Sequence, residues 1–402
     1  MKNITYLLGA GASADKVPIL KDFTNELTHL KNILFELNTI TFQYYQQRKT
    51  NDKVPNEILS NEKLEDSTNL VKDLEFIISE LSKHQTVDTL AKKYFLADKL
   101  PELTKLKIVI TVFLLYKQFS FPKGDPEIPI NKQNFTPDQR YDSFIASIIG
   151  TKKNDYELPG NIKILSWNYD MQFELAFREY NQKKISEIQN VNQIIPSTSW
   201  YNHEKSSYYF NKFSLIHLNG VIGIKSLSKD NPQYGQDTFV DELIADSSVS
   251  KIVGIYGELW DDQNRRNSEK AISFFNYNWE FQDGNKENLY KGYDRPHEYA
   301  KEIISKTDIL VVIGYSFPIF NRRFDSMLLK LLPETCNNIY VQDFDPLVIV
   351  ERIGSILPQR AISNDARLIK HTTRIINNPN LINVNPVFDS GQFYLPSELS
   401  ID

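Results

Sequence analysis

The start of the chain constrains its fold more than any other segment. Residues 3–8, Asn-Ile-Thr-Tyr-Leu-Leu, read as a short buried strand, and Gly9-Ala10-Gly11-Ala12-Ser13 follows without a break. A strand running straight into two alternate glycines predicts a strand–turn–helix unit with a helix starting after Ser13, because glycine lets the backbone reverse tightly. Glycine is scarce here, 15 of 402 residues, about half the usual share of ~7%, so a close pair is informative. Two readings fit the turn. One is a tight connection with no ligand; the other is a backbone that approaches a pyrophosphate at the amino end of a helix.

From about residue 25 to 150 the pattern is helical. Leu70, Val71, Leu74, Ile77, Ile78 and Leu81 fall on one face of a helix, and 103–119 is apolar nearly all round, as in a buried helix. The stretches Arg48–Val54 and Pro122–Pro137 read as loops. After Gly160, strands expected at 162–166, 213–218, 251–256, 308–313 and 338–342 alternate with helices at 171–181, 297–306, 322–332 and 346–356. The runs at 251–256 and 308–313 suit strands buried on both faces of a parallel sheet. The fold class expected is a Rossmann-like, doubly wound α/β sheet, mostly parallel, with a large helical insertion after the first βα unit. Its parts would be residues 1–24 plus 155–370 as the Rossmann domain, 25–154 as the helical insertion, and 371–402 as a C-terminal surface extension.

Lys and Arg number 46 against 51 Asp and Glu, a net charge of −5, which argues against a mainly electrostatic grip on nucleic acid. One cysteine, Cys336, allows neither an intrachain disulfide nor a Cys-rich zinc site, so no metal is expected. The longest apolar run, Ile108–Tyr116, is far short of the ~20 residues a membrane helix needs. With no signal-peptide pattern at the amino end, a cytoplasmic setting is expected.

Four further motifs sit at predicted strand ends, where ligands bind in open α/β sheets. Asn168 and Asp170 in Ser166-Trp167-Asn168-Tyr169-Asp170 are alternate residues that can face one ligand; equally, Asp170 can cap the next helix. His217 ends the run Leu215-Ile216-His217 before Gly220 and is either a general base or a structural imidazole. Gly314-Tyr315-Ser316 offers close backbone approach and a hydroxyl, with Arg322 and Arg323 shortly after. Asp343, in Gln342-Asp343-Phe344-Asp345, can accept from ribose hydroxyls, and Asp345 before Pro346 reads as a helix cap.

The order Gly9-Ala10-Gly11-Ala12-Ser13, Asn168-x-Asp170, His217-x-x-Gly220, Gly314-Tyr315-Ser316, then a strand ending in Gln342-Asp343, resembles the sirtuin-like NAD-binding family over residues 1–20 and 160–350. Thr86-Val87-Asp88-Thr89-Leu90-Ala91 and Tyr141-Asp142-Ser143-Phe144 are similar to its bacterial anti-phage defence branch. The four-cysteine zinc ribbon of the deacylases is missing, Trp167 replaces the glutamine before the Asn, and Val17-Pro18-Ile19 keeps only the proline of another deacylase segment. The resemblance therefore implies an NAD+ glycohydrolase that depletes NAD, without zinc and with no cofactor beyond its substrate. It implies that Asn168 holds the water and ribose, that His217 is the base and that Asp170 contacts the nicotinamide amide. Gly9, Ala10, Gly11, Ser13, Gly314, Ser316 and Asp343 would hold the pyrophosphate and adenosine ribose. It further implies a homo-oligomer and a regulatory partner, a HerA-type ATPase ahead of an Argonaute-type protein, with no direct contact to nucleic acid or membrane. A sirtuin-like deacylase or ADP-ribosyltransferase and a non-catalytic NAD or ADP-ribose sensor are the alternatives.

Overall fold

The computed structural model describes residues 1–18, 22–47, 58–84, 86–119, 137–152, 155–197, 208–224, 238–264, 276–281, 295–357, 360–362, 381–389 and 391–399. The expected loop at Arg48–Val54 and all but Pro137 of the loop Pro122–Pro137 lie outside them. The strands are β1 (Ile4–Leu8), β2 (Gly150–Lys152), β3 (Asp155–Glu157), β4 (Ile162–Ser166) and β5 (Ile194–Ile195). They continue with β6 (Ser214–His217), β7 (Ile309–Ile313), β8 (Asn338–Gln342), β9 (Ala361–Ile362) and β10 (Ile382–Val387). The first six α-helices are α1 (Phe23–Gln47), α2 (Asn61–Leu81), α3 (Val87–Leu96), α4 (Leu100–Gln118), α5 (Gln139–Ile148) and α6 (Gln172–Asn181). Those that follow among the described residues are α7 (Ile185–Val191), α8 (Phe239–Ala245), α9 (Val249–Asn264), α10 (Arg295–Ile304), α11 (Arg322–Lys330) and α12 (Pro346–Ile356).

The chain divides into two compact units, Met1–Ala14 with Pro137–Val221 and Asn276–Asp402, and Asp15–Thr136 with Ile222–Phe275. The first unit is a Rossmann-like α/β unit. Its sheet runs β5-β6-β4-β1-β7-β8-β10-β9, and every pairing in it is parallel. β1, β4 and β7 are buried at every position. Their continuous apolar character follows from that, since a central parallel strand meets packing on both faces. The chain leaves β1 toward β4 and β6 and later crosses to β7 and β8. The topological switch therefore falls between β1 and β7, where the carboxyl ends of neighbouring strands open a crevice.

The second unit is helical. Leu27, Leu30 and Leu34 of α1 and Leu70, Leu74 and Ile77 of α2 are buried, and α4 is buried almost all round, as its sequence demands. Ser60 and Thr86 cap α2 and α3 by accepting from Lys63 N and Thr89 N. Residues 251–256 belong here too, as helix rather than strand. Ser248 takes the amides of Lys251 and Ile252, and the apolar residues Ile252, Val253, Ile255 and Tyr256 bury one helical face. Four apolar residues around Gly254 fit either period, and the helix runs on to Asn264.

Three other expectations change. Among the described residues no α-helix starts directly after Ser13. Residues Ala10–Ser13 are a 3-10 turn, and α1 begins only at Phe23, beyond Pro18, which has no amide hydrogen to give a helix. The unit boundaries assign Pro137–Lys152 to the sheet unit and bring 222–275 into the helical one. The C-terminal residues are no mere surface extension. β10 pairs with β8, and Phe393 is buried with its ring 4.8 Å from Tyr141 and 5.6 Å from Phe144. Replacing Phe393 with Ala is expected to cost about 3 kcal/mol or more. Urea unfolding should show a lower midpoint at an unchanged slope, and an unaltered midpoint would mean that the tail is not part of the core.

Candidate active site

The carboxyl ends of β1, β4, β6, β7 and β8 are laced together by backbone. Trp167 N donates to Leu8 O at 2.9 Å, Leu218 N to Ser166 O at 2.8 Å, Gly9 N to Ile313 O at 3.0 Å and Gly314 N to Gln342 O at 3.0 Å. Gly11 N donates to Gly314 O at 3.0 Å. A Cβ on Gly9 would sit 2.6 Å from Gly314 O, and one on Gly11 2.7 Å from Gly314 Cα. Gly314 has φ +60° and its Cβ would meet Ala12 N at 2.4 Å. The glycines are thus required by the packing of one strand-end turn against another, and the amides of Gly9 and Gly11 are already spent on it. Ala10 stays exposed at the rim.

The 3-10 turn delivers Ser13 into a buried polar cluster. Asn168 Nδ2 donates to Ser13 Oγ at 3.1 Å, and Tyr141 OH lies 3.1 Å from the same oxygen. Ser13 is also hydrogen-bonded to the Asp170 carboxylate. With Asn168 and Tyr141 donating and Asp170 accepting, the two lone pairs and one hydrogen of the hydroxyl are all used. Gln172 N donates to Asp170 Oδ1 at 3.1 Å, so Asp170 also meets the first turn of α6, as a helix-capping carboxylate does. Burial lifts the Asp170 carboxyl to about 6, against the lowering effect of those hydrogen bonds.

His217 and Asn168 do meet. His217 Nδ1 lies 3.3 Å from the backbone carbonyl of Asn168, and Nε2 lies 3.2 Å from Glu174 Oε1 on α6. All these groups are buried. Burial alone would lower the imidazole, but the Glu174 carboxylate, its hydrogen bond and the Asn168 carbonyl outweigh it and raise the ring above the ordinary histidine value. The other Glu174 oxygen, Oε2, is buried without a hydrogen-bond partner among the described residues.

Supporting groups fix this cluster from behind. Arg140 pairs with Asp138, Nε to Oδ1 at 3.1 Å and NH2 to Oδ2 at 2.8 Å, and its NH1 donates to Gly11 O at 3.0 Å. Asp138 N donates to Gln172 Oε1 at 2.9 Å, tying the start of α5 to α6. Trp167 stacks on Tyr315 with ring centres 5.7 Å apart, and the Tyr315 hydroxyl donates to the buried Asp325 carboxyl, 2.8 and 3.0 Å from its oxygens. Phe317 in the same turn has φ +51°, a strained backbone for an aromatic residue.

Of the residues singled out from sequence, Ser13, Asn168, Asp170 and His217 come together. Gly9, Gly11 and Gly314 form the turn contact beside them. Ser316 is exposed and its carbonyl accepts from Arg352, while Asp343 Oδ1 accepts from Asp345 N at 3.2 Å in a turn at the end of β8. Arg322 and Arg323 are exposed, with Arg322 NH2 3.2 Å from Ser355 Oγ. Glu174 was missed. Its signal was a carboxylate set among apolar residues in Phe173-Glu174-Leu175-Ala176-Phe177, a pattern that implies a buried charge with a partner. Tyr141 was noted only for its resemblance, and Asp325 not at all. Among the described residues no cluster of three or more His, Cys, Asp or Glu side chains could hold a metal ion, and no helix is long and apolar enough to cross a membrane. No protein-family model matches this chain, and no curated protein matches it.

Burial holds Asp325 at about 8, with the Tyr315 hydrogen bond pulling the other way. Between about pH 4 and 8 the unfolded chain therefore loses a proton that the native state keeps, and stability falls by up to about 1.4 kcal/mol per pH unit. Asp325→Asn retains an acceptor for Tyr315 and removes this term. Its stability relative to wild type should climb from pH 4 to 8 in denaturant titrations and then level; a constant difference would contradict the assignment.

Proposed function

We propose that the protein is a sirtuin-like NAD+ glycohydrolase that converts NAD+ and water to ADP-ribose and nicotinamide. One observation supports this reading above the others. Ser13, Asn168, Asp170 and His217, which come from three separate strand ends, converge in one buried cluster beside the switch point of a parallel sheet. A hydrolytic reaction at the ribose suits such a cluster, because the nicotinamide of NAD+ leaves as a neutral molecule and needs little acid assistance. The carbon left behind develops oxocarbenium character. Buried, pre-oriented polar groups then supply what remains: a positioned water and dipoles aimed at the developing charge.

In this reading Asn168 holds the water and ribose, and Asp170 contacts the nicotinamide amide. The water adds to the anomeric carbon as the glycosidic bond breaks, and its proton passes to His217. Ala10 and Ser316, both exposed, and Asp343, half-buried, are the members of the expected nucleotide-binding set with surface still available to a pyrophosphate or ribose. Gly9, Gly11 and Gly314 shape the turn that presents them. The defence role, depletion of NAD in the cytoplasm by a homo-oligomer under a HerA-type or Argonaute-type partner, belongs to the same proposal and rests on the resemblance.

Purified protein incubated with NAD+ should release nicotinamide and ADP-ribose in equal amounts by chromatography, alone or with its regulatory partner. His217→Ala and Asn168→Ala should each lower the rate by at least ~10²-fold. Wild-type turnover in either variant would remove the mechanism. Tight NAD binding without cleavage in every condition would instead favour the sensor.

A further inference from the structure

We propose that Glu174 is the positioning residue of His217. It holds Nε2–H, so that Nδ1 is the one ring nitrogen that exchanges protons with the reacting groups. This deepens the glycohydrolase reading and rests on it for the reaction, though not for the geometry.

Both neighbours of the ring are acceptors. A carboxylate oxygen lies 3.2 Å from Nε2 and a backbone carbonyl 3.3 Å from Nδ1. A neutral imidazole has one N–H and one lone pair, so it would set a lone pair against an acceptor on one side. A ring with hydrogens on both nitrogens satisfies both contacts. The charged or titratable groups bearing on the ring are Glu174 on α6 and Asp170 in the segment after β4, and both favour the protonated ring. Ser13 and Tyr141 lie one hydrogen bond further out.

The two contacts are not equivalent. The partner of Nε2 is a carboxylate with no solvent-exposed surface, anchored in the first turn of α6. The partner of Nδ1 is a carbonyl in the segment that carries Asn168 itself. Once the Nδ1 proton is lost, the proton that remains is held by the carboxylate, and the lone pair points toward Asn168. In the reaction the proton leaving the attacking water goes to Nδ1, and Glu174 neutralises the imidazolium that forms. This is the division of labour of a carboxylate–histidine dyad. Because the base must first be neutral, activity is lost on the acid side, at a pH above that of an ordinary histidine, about 6.5.

The test is ring-nitrogen NMR of protein labelled with ¹⁵N in histidine, with the His217 signals identified by their loss in His217→Gln. The wild type should carry hydrogens on both ring nitrogens at pH 6.5, titrate above that value, and keep its last proton on Nε2. Glu174→Gln should lower the midpoint by one pH unit or more, with Glu174→Asp in between. The acid limb of kcat/KM for NAD+ cleavage should move by the same amount. A wild-type ring with a bare Nε2, or a titration unchanged in Glu174→Gln, would overturn the proposal, and the first of these needs no variant to fold. If the titrations behave as stated while NAD+ is never cleaved, the pairing stands and the glycohydrolase reading falls.

Discussion

The backbone contact between the turn after β1 and the turn after β7 is the constraint on which the site depends. Gly9 and Gly11 lie so close to Gly314 that a side-chain carbon on any of the three would collide with main chain. Main-chain atoms cannot swing aside as a side chain can, so the contact admits only glycine or a shift of a whole strand. Because both turns are pinned, the carboxyl ends of β1, β4 and β7 finish at one level. The short 3-10 turn then carries Ser13 directly into the polar cluster.

Burying that cluster is costly unless every group in it finds a partner, since an unpaired polar atom away from water costs more than a hydrogen bond returns. The structure meets this demand around Ser13, while Glu174 Oε2 is left without a hydrogen-bond partner among the described residues. Ser13 serves Asn168, Tyr141 and Asp170 at once, and the Arg140–Asp138 pair clamps the glycine turn to α5. The consequence is electrostatic as well as structural. Burial brings Asp170 to about 6, and Glu174 raises the affinity of His217 for its second proton, so proton affinities are set by fixed neighbours rather than by solvent. Pre-oriented groups of this kind need not reorganise when charge develops on a ligand.

Much of the fold was legible because hydrophobic pattern and burial are directly linked. The runs at 162–166 and 338–342 are strands, 308–313 is a strand from Ile309 onward, and 103–119 lies within α4 except for its last residue. The reading failed at 251–256 because Ile252, Val253, Ile255 and Tyr256 satisfy a strand or a helix equally, and the choice rests on packing against α2 and α4. It also failed at the C-terminus. The run Ile382-Asn383-Val384-Asn385-Pro386-Val387 is polar at alternate positions and contains a proline, yet it pairs with β8. In the candidate site, the residues at strand ends were visible because strand ends are visible. Glu174, Tyr141 and Asp325 lie on helices, and only the approach of those helices gives them partners.

The sequence by itself determined most of the local units: the central buried strands, the helices with an apolar face, and the glycines, asparagines and histidines that fall where those strands stop. Those follow from backbone sterics and from the period of apolar residues, both of which act over a few neighbours. Only the tertiary structure decided what each of these residues touches. The glycines proved to pack against another turn, Ser13 to be saturated inside the site, and His217 to be gripped by a carboxylate 43 residues earlier in the chain. Pairings at that separation depend on strand order and helix placement across the sheet, and no local pattern encodes them.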